Sequence, residues 1–143
     1  MQGFFRRCLL LNRAFISKMN EVLGVYGLSY SKWTVVCYVK DHGSSMLVDI
    51  ANHANVRNPV ITRIVQRLEE NGVVQQIPGL DKREKIIELT EKGERIYQEC
   101  RKVIDNLERK VLAGISEEEI KAAFEVFPKV RDNLMDIGDN KNE

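Results

Sequence analysis

Hydrophobic residues recur at intervals of three and four along most of this 143-residue chain, which is the spacing of amphipathic helices. The first half of the chain is predicted to hold four helices, over residues 4–23, 31–43, 46–54 and 58–71. The hydroxyl of Ser31 is suited to cap the second helix. Pro59 suits the first turn of the fourth, where its missing N–H is not needed, and Gly72 suits its C-terminal end.

The helical spacing ends after Gly72, and two short segments then favour strands. These are Val73–Ile77 and Glu84–Leu89. Pro78, Gly79 and Asp81 lie between them and are typical of a turn. A β-hairpin is therefore predicted directly after the fourth helix.

Two long helices are predicted after Thr90. The first carries apolar residues at alternating four- and three-residue spacing, typical of coiled-coil packing, at Ile96, Cys100, Val103, Leu107 and Val111. Ser116 and Glu119 form a capping box that opens the second helix, in which Pro128 predicts a kink.

This order of elements predicts a mainly α (α+β) fold built around a winged helix-turn-helix over residues 31–91. Its helix-turn-helix lies at residues 46–71, and the hairpin is the wing. Residues 1–30 and 92–138 carry more apolar surface than one small domain can cover. We therefore expect them to be dimerisation helices of a symmetric homodimer, with the whole forming one integrated chain.

Several classes of protein are excluded by the sequence. The longest apolar runs are far shorter than a membrane span, so no membrane partner is expected. Asn12 and Arg13 interrupt the early apolar run before it reaches the length of a secretory signal, which predicts a cytoplasmic protein. Phosphate-loop, H-E-x-x-H and G-x-S-x-G motifs are missing from the sequence. We therefore expect neither an enzyme nor a bound cofactor.

The formal net charge is only +1, which by itself argues against a strongly basic nucleic-acid-binding protein. The charge is unevenly distributed, however. Residues 1–40 hold six basic residues and one acid, whereas residues 113–143 hold four basic and eight acidic residues. The segment from Asn55 to Leu68 contains three arginines and no acid. The near-neutral total therefore conceals a basic fourth helix.

The sequence resembles the MarR (multiple antibiotic resistance regulator) family of bacterial transcription factors from about Phe5 to Leu134. Four segments in order carry the resemblance: Asp49-Ile50-Ala51, Asn58-Pro59-Val60-Ile61-Thr62-Arg63, Asp81-Lys82-Arg83 and Leu89-Thr90-Glu91-Lys92-Gly93. Two positions depart from the family pattern. Arg57 replaces the usual capping Ser or Thr, which leaves Asn58 as the local capping side chain, and Val60 stands where threonine is common. Both positions lie on the face that would meet bases, so the resemblance does not define the operator.

The resemblance implies a regulator, of the repressor type, that binds double-stranded DNA as a homodimer. Its recognition helix would enter the major groove with Arg57, Asn58, Pro59, Val60, Thr62, Arg63 and Arg67. Thr62 and Arg63 suit contacts with base edges, and Val60 suits a thymine methyl group. Arg67 either reaches a phosphate or pairs with Glu70.

The wing would reach the minor groove with Lys82, Arg83 and Lys85, because a narrow minor groove attracts an inserted arginine. The resemblance gives Asp81 the role of orienting Arg83 and closing the turn. The alternative function is a winged helix that binds another protein. An acidic or apolar recognition helix would favour that alternative, whereas this one carries three arginines before its first acid.

The resemblance also implies a small aromatic or anionic effector, bound between the dimerisation helices and the winged domain. Arg13, Tyr30, Trp33 and Tyr38 lie near that region, although aromatic residues at helix junctions are more often part of a core. His42 and His53 lie on different predicted helices without a ligand-spaced partner, so no metal site is expected.

A thiol redox sensor is a further alternative within the family. One branch senses peroxide through a cysteine near the start of the first helix, and Cys8 is close to that place. Tyrosines support that cysteine in the family, but here none precedes Tyr26. Because Cys8, Cys37 and Cys100 all lie on apolar stripes, inert core thiols are the favoured interpretation.

Overall fold

The computed structural model describes residues 3–81 and 83–139. The elements follow one another as α1 (Phe4–Gly24), α2 (Tyr30–His42), β1 (Ser45–Met46), α3 (Leu47–Ala54), α4 (Asn58–Glu70), β2 (Val74–Pro78), β3 (Lys85–Leu89), α5 (Glu91–Leu112) and α6 (Glu117–Asp139). This is the mainly helical fold with a small antiparallel sheet that the sequence predicts. No helix within these residues is long and apolar enough to cross a membrane.

Helix α2 begins two residues earlier than its predicted cap implies. The hydroxyl of Ser29, not that of Ser31, accepts the N–H of Lys32 at 3.3 Å. The N–H of Tyr30 donates to the side-chain oxygen of Asn20 at 2.7 Å, which ties the start of α2 to α1. Ser31 lies inside the helix, so the prediction that it caps α2 is wrong.

The sheet has three antiparallel strands in the order β1-β3-β2. Strands β2 and β3 form the predicted hairpin, in register from Val74 opposite Leu89 to Pro78 opposite Lys85. The two-residue strand β1, opposite Ile86 and Ile87, was not predicted. It fastens the start of α3 to the middle of strand β3, so the segment that leads into α3 and the hairpin share one sheet.

The residues up to Asn106 form one compact unit. Its core holds side chains that are almost fully buried and that come from every element type: Leu23, Val35, Val36, Ile50, Ile61, Val65, Leu68, Val74, Ile87 and Cys100. Since Ile61, Val65 and Leu68 all come from α4, one face of that helix is fixed against the core and the opposite face is left for solvent.

The end of α4 is fastened to the start of α5 by backbone and side-chain contacts. The N–H of Thr90 donates to the carbonyl of Val73 at 3.1 Å, and its hydroxyl donates to the carbonyl of Gly72. The same hydroxyl accepts the N–H of Gly93 at 3.0 Å. A β-carbon at Gly93 would overlap the carbonyl oxygen of Val73, so only glycine fits this close approach.

The residues from Leu107 onward form a second compact unit. Gly114, with φ of 81°, ends the helical segment that begins this unit. The predicted capping box then opens α6: the N–H of Ser116 donates to Glu119 at 2.9 Å, and the N–H of Glu119 donates to the hydroxyl of Ser116 at 3.2 Å. The hydrogen bonds from the backbone and hydroxyl of Ser116 lower the pKa of Glu119. Helix α6 continues through Pro128.

Candidate nucleic-acid interface

The turn between α3 and α4 is set by a left-handed residue. Asn55 has φ of 53°, a conformation that asparagine tolerates better than most other residues. The N–H of Val56 then donates back to the carbonyl of Ala51 at 3.2 Å, which closes the end of α3. The chain leaves this turn through Arg57 and enters α4, so the two helices are joined by three residues.

The start of α4, the predicted recognition helix, has no side-chain cap. Arg57 is the N-cap residue and makes no capping hydrogen bond. Asn58 was predicted to supply the cap, but it is the first residue of the helix, so that prediction is wrong. The first turn contains no acid. The N–H of Val60 donates to the carbonyl of Arg57 at 3.0 Å and Pro59 has no N–H, so the N–H of Asn58 and the positive end of the helix dipole are what this helix start offers to an anion such as phosphate.

The predicted contact residues occupy the solvent face of α4. Arg57, Asn58, Pro59, Val60, Arg63 and Arg67 are all exposed. Thr62 differs, because it is half-buried and its hydroxyl donates to the carbonyl of Asn58 at 2.8 Å. Its hydroxyl proton is therefore occupied within the helix. The oxygen lone pairs and the methyl group are what remain for contact with a base.

The cations of this surface are not neutralised by neighbouring acids. Within residues 3–81 and 83–139, no ion pair involves Arg57, Arg63, Arg67, Arg83 or Lys85. The suggested pairing of Arg67 with Glu70 is thus not formed. A group of exposed cations without acidic partners is suited to binding a polyanion.

The tip of the hairpin is closed by its own backbone and by Asp81. The N–H of Gly79 donates to the carbonyl of Glu84 at 3.3 Å, and the N–H of Glu84 donates to the carbonyl of Asp81 at 2.9 Å. The Asp81 carboxylate accepts the backbone N–H of Arg83 at 3.2 Å. Asp81 therefore closes the turn and leaves the guanidinium of Arg83 unpaired among the described groups. Lys82 lies outside the described residues.

The recognition helix and the wing meet at a cleft of about 210 Å³. Its lining joins Asn58, at the start of α4, to Arg83 and Lys85 of the hairpin. Met46, Leu47, Val48 and Glu84 complete the lining. The first three come from β1 and the start of α3, and the sequence did not predict them here because their approach to the hairpin depends on the pairing of β1 with the distant strand β3. The structure thus brings together residues from both elements that are predicted to contact DNA.

The four predicted effector residues are not brought together within the first unit. Tyr30 packs edge-on against Phe15, with ring centroids 5.4 Å apart, and buried Trp33 stacks on Tyr97 at 5.4 Å. Tyr38 instead stacks on His42 at 4.1 Å. Arg13 is exposed on α1. Phe15 and Tyr97 were not predicted as the partners of Tyr30 and Trp33, because nothing in the spacing of these residues along the chain indicates which rings will meet.

A second cleft, of about 200 Å³, lies where the α1–α2 turn meets the end of α4 and the start of α5. It is lined by Tyr26, Gly27, Leu28, Asn71, Val73, Lys92 and Ile96. The ammonium of Lys92 donates to the carbonyl of Asn71 at 2.9 Å across this junction. None of the four predicted effector residues lines it.

The cysteines differ in their surroundings. Burial, with a contribution from Asp41, raises the pKa of Cys37 to about 11, and burial raises the pKa of Cys100 to about 11. Both thiols are therefore poor nucleophiles at neutral pH. Cys8 is half-buried on α1. Across the described parts of the chain, no three His, Cys, Asp or Glu side chains group as metal ligands would.

Comparison with known proteins identifies the family. Residues 28–85, which contain the helix-turn-helix and most of the hairpin, match the MarR family. The chain is 36% identical over 115 residues to the HTH-type transcriptional regulator YwoH of Bacillus subtilis (strain 168), covering 80% of this chain and 84% of that protein. The chain belongs to the MarR family. It is therefore a helix-turn-helix transcriptional regulator, and its family consists of regulators rather than enzymes.

Solved MarR structures share the fold over most of the chain. Staphylococcus aureus MarR in complex with salicylate and kanamycin has a TM-score of 0.86 at 22% identity and covers 94% of this chain and 92% of its own. A mutant MarR from E. coli in complex with operator DNA has a TM-score of 0.83 at 21% identity, with 90% and 94% covered. At these identities the likeness establishes the winged-helix fold of this MarR-family protein.

Proposed function

We propose that this MarR-family regulator represses transcription by binding a pseudo-palindromic operator as a homodimer. Helix α4 enters the major groove with Arg63 and Thr62 at base edges, and the hairpin places Arg83 in the flanking minor groove. The observation that carries the proposal is the set of exposed cations on α4 and the hairpin that no described acid pairs with. The E. coli relative was solved with operator DNA, which supports the same use of the fold.

The homodimer is supported by unpartnered apolar side chains on two helices, each considered separately. Helix α1 leaves Phe5 68% and Leu11 62% exposed. Helix α6 leaves Phe124 66% and Ile137 72% exposed. A monomer rarely leaves so many large apolar groups in water, and a second copy of the chain is the partner that a symmetric regulator supplies.

A small effector is the third part of the proposal. The S. aureus relative was solved with salicylate and kanamycin. Salicylate is an aromatic anion, which suits a chain with aromatic residues on α1 and α2. We place the effector beside Arg13, Tyr30, Trp33 and Tyr38. Since Tyr30, Trp33 and Tyr38 pack against three different rings within one chain, we expect the second copy to complete the site.

Selection of bound fragments from the source genome tests the proposal. The full-length protein is expected to recover fragments with two half-sites about one helical turn (~10 bp) apart, and salicylate in the binding buffer should reduce that recovery. Retention on heparin should fall steeply as salt rises, because binding releases counterions. A protein that recovers no sequence and passes heparin at low salt would be a protein-interaction module instead.

A further inference from the structure

Leu80, at the tip of the hairpin, is the most exposed large hydrophobic residue of the described chain. Its exposure reaches 108% of its reference value, against 83% for Val25, the next in order. Single exposed leucines are common on protein surfaces. This one is unusual because it lies at the end of the element that would reach DNA.

The backbone of the tip holds Leu80 outward. The hydrogen bonds between Gly79 and Glu84 and between Asp81 and Glu84 close the turn on either side of it. A β-carbon at Gly79 would lie only 2.7 Å from the β-carbon of Glu84, so the two arms touch at the base of the tip. Because the turn is closed this tightly, the Leu80 side chain has no space inside it and points away from the core.

The chemistry around Leu80 favours DNA over an apolar protein surface. Pro78 and Gly79 precede it, and its described neighbours on the other side are the charged residues Asp81, Arg83 and Glu84, so most of the surface around it is charged. A protein partner would require a continuous apolar patch. The minor groove instead has apolar sugar walls between two rows of phosphates, and minor-groove proteins often combine cationic side chains with an apolar residue such as leucine.

We propose that Leu80 packs against the deoxyribose walls of the minor groove and there adds affinity that does not depend on salt. This inference rests on the proposed DNA binding and goes beyond it, because it adds an apolar contact to the cationic wing. Arg83 binds through charge, whereas Leu80 binds through the removal of apolar surface from water. The two contributions therefore respond differently to ionic strength.

The test compares wild type, Leu80→Ala, Leu80→Met and Arg83→Ala on a duplex of about 40 base pairs that carries the selected operator. Leu80→Ala is expected to weaken binding about fivefold to tenfold, with an unchanged slope of log affinity against log salt. Leu80→Met, which keeps the apolar volume, should bind within about twofold of wild type. Arg83→Ala should instead lower the magnitude of the slope by about two, because each chain of the homodimer loses one cation.

Val25→Ala is the matched control, because Val25 is nearly as exposed but lies in the turn after α1. It should bind like wild type. Hydroxyl-radical footprinting at saturating protein provides a second readout. Wild type should protect minor-groove sugars outside the two major-groove contacts, and Leu80→Ala should lose that protection while it keeps the central footprint.

The outcomes separate this inference from the proposed function. If wild type binds the duplex and Leu80→Ala matches it in affinity and footprint, then Leu80 has no role in binding, and the proposed DNA binding still stands. A reduced salt slope in Leu80→Ala also overturns the role of Leu80, since the loss would then be electrostatic. Wild type that binds no duplex overturns both proposals.

Discussion

Replacement of Gly93 by alanine should destabilise the protein more than any gain in helix propensity can offset. In the first unit, α5 approaches the end of α4 so closely that a β-carbon at Gly93 would overlap the carbonyl oxygen of Val73. It would also lie 3.1 Å from the carbonyl carbon of Val73 and 3.3 Å from the side chain of Leu89. Backbone and a packed side chain surround the site, so the strain cannot be relieved by rotating a flexible group.

The magnitude follows from three contributions. Overpacking costs about 1–3 kcal/mol. Moving the Val73 carbonyl weakens the hydrogen bond from the N–H of Thr90, at 3.1 Å, by roughly 1 kcal/mol. Alanine in a helix recovers about 1 kcal/mol relative to glycine. The expected net loss is about 1–3 kcal/mol, because overpacking and the weakened hydrogen bond together outweigh the gain in helix propensity.

Urea unfolding followed by fluorescence of Trp33, the one tryptophan, measures this loss. At fixed protein concentration the midpoint for Gly93→Ala should fall by roughly 1–2 M. Gly24→Ala is the control, because Gly24 ends α1 and a β-carbon added there would meet no other group within 4 Å. That variant should be as stable as wild type or slightly more stable. Equal midpoints for Gly93→Ala and wild type would show that the Val73 carbonyl tolerates a β-carbon at position 93.

Three further outcomes are expected. Ser116 lowers the pKa of Glu119 in the folded chain, so the free energy of unfolding should fall as the pH drops from the ordinary pKa of a glutamate to the lower pKa of the folded state. Urea midpoints measured against pH should show this fall for wild type, and Glu119→Gln should flatten it. Because the pKa of Cys100 is raised to about 11, a thiol reagent should modify Cys100 far more slowly at about pH 8 in the native chain than in the urea-unfolded chain. Peptide mass spectrometry measures the two rates, and equal rates would contradict this prediction. Arg63→Ala should reduce the preference for the operator over random DNA, whereas Arg83→Ala should weaken binding to all DNA sequences alike and reduce the dependence of affinity on salt. Affinities for operator and random duplexes at two salt concentrations distinguish the two variants.

The helices were predictable because their spacing is set locally. Apolar positions such as Ile61, Val65 and Leu68 recur at helical intervals, and all three are buried. The same logic located the hairpin and the capping box at Ser116. Such signals depend on neighbours within one or two turns, which a sequence displays directly.

What the sequence could not predict depends on distant contacts. Strand β1 exists because Ser45 and Met46 lie beside Ile86 and Ile87, which are remote in the chain, and two residues carry no period. The sequence predicted the wrong cap for α2 because Ser29 and Ser31 are both chemically suitable. In the folded chain α2 begins at Tyr30, so Ser29 is the residue that caps it.

The candidate site likewise has one part that the sequence predicts and one part that depends on distant contacts. The basic face of α4 follows from helical spacing once its buried face is known. The separate partners of Tyr30, Trp33 and Tyr38 come from α1, α5 and the end of α2, so their identity required the packed chain.

The small sheet also has a consequence for behaviour at high concentration. Strand β2 is an edge of that sheet, and exposed edges are where separate molecules add strands to one another. This edge is only five residues long and ends in exposed Pro78, which has no N–H to donate. Two molecules that meet edge to edge at this strand therefore resist pairing into a continuous sheet.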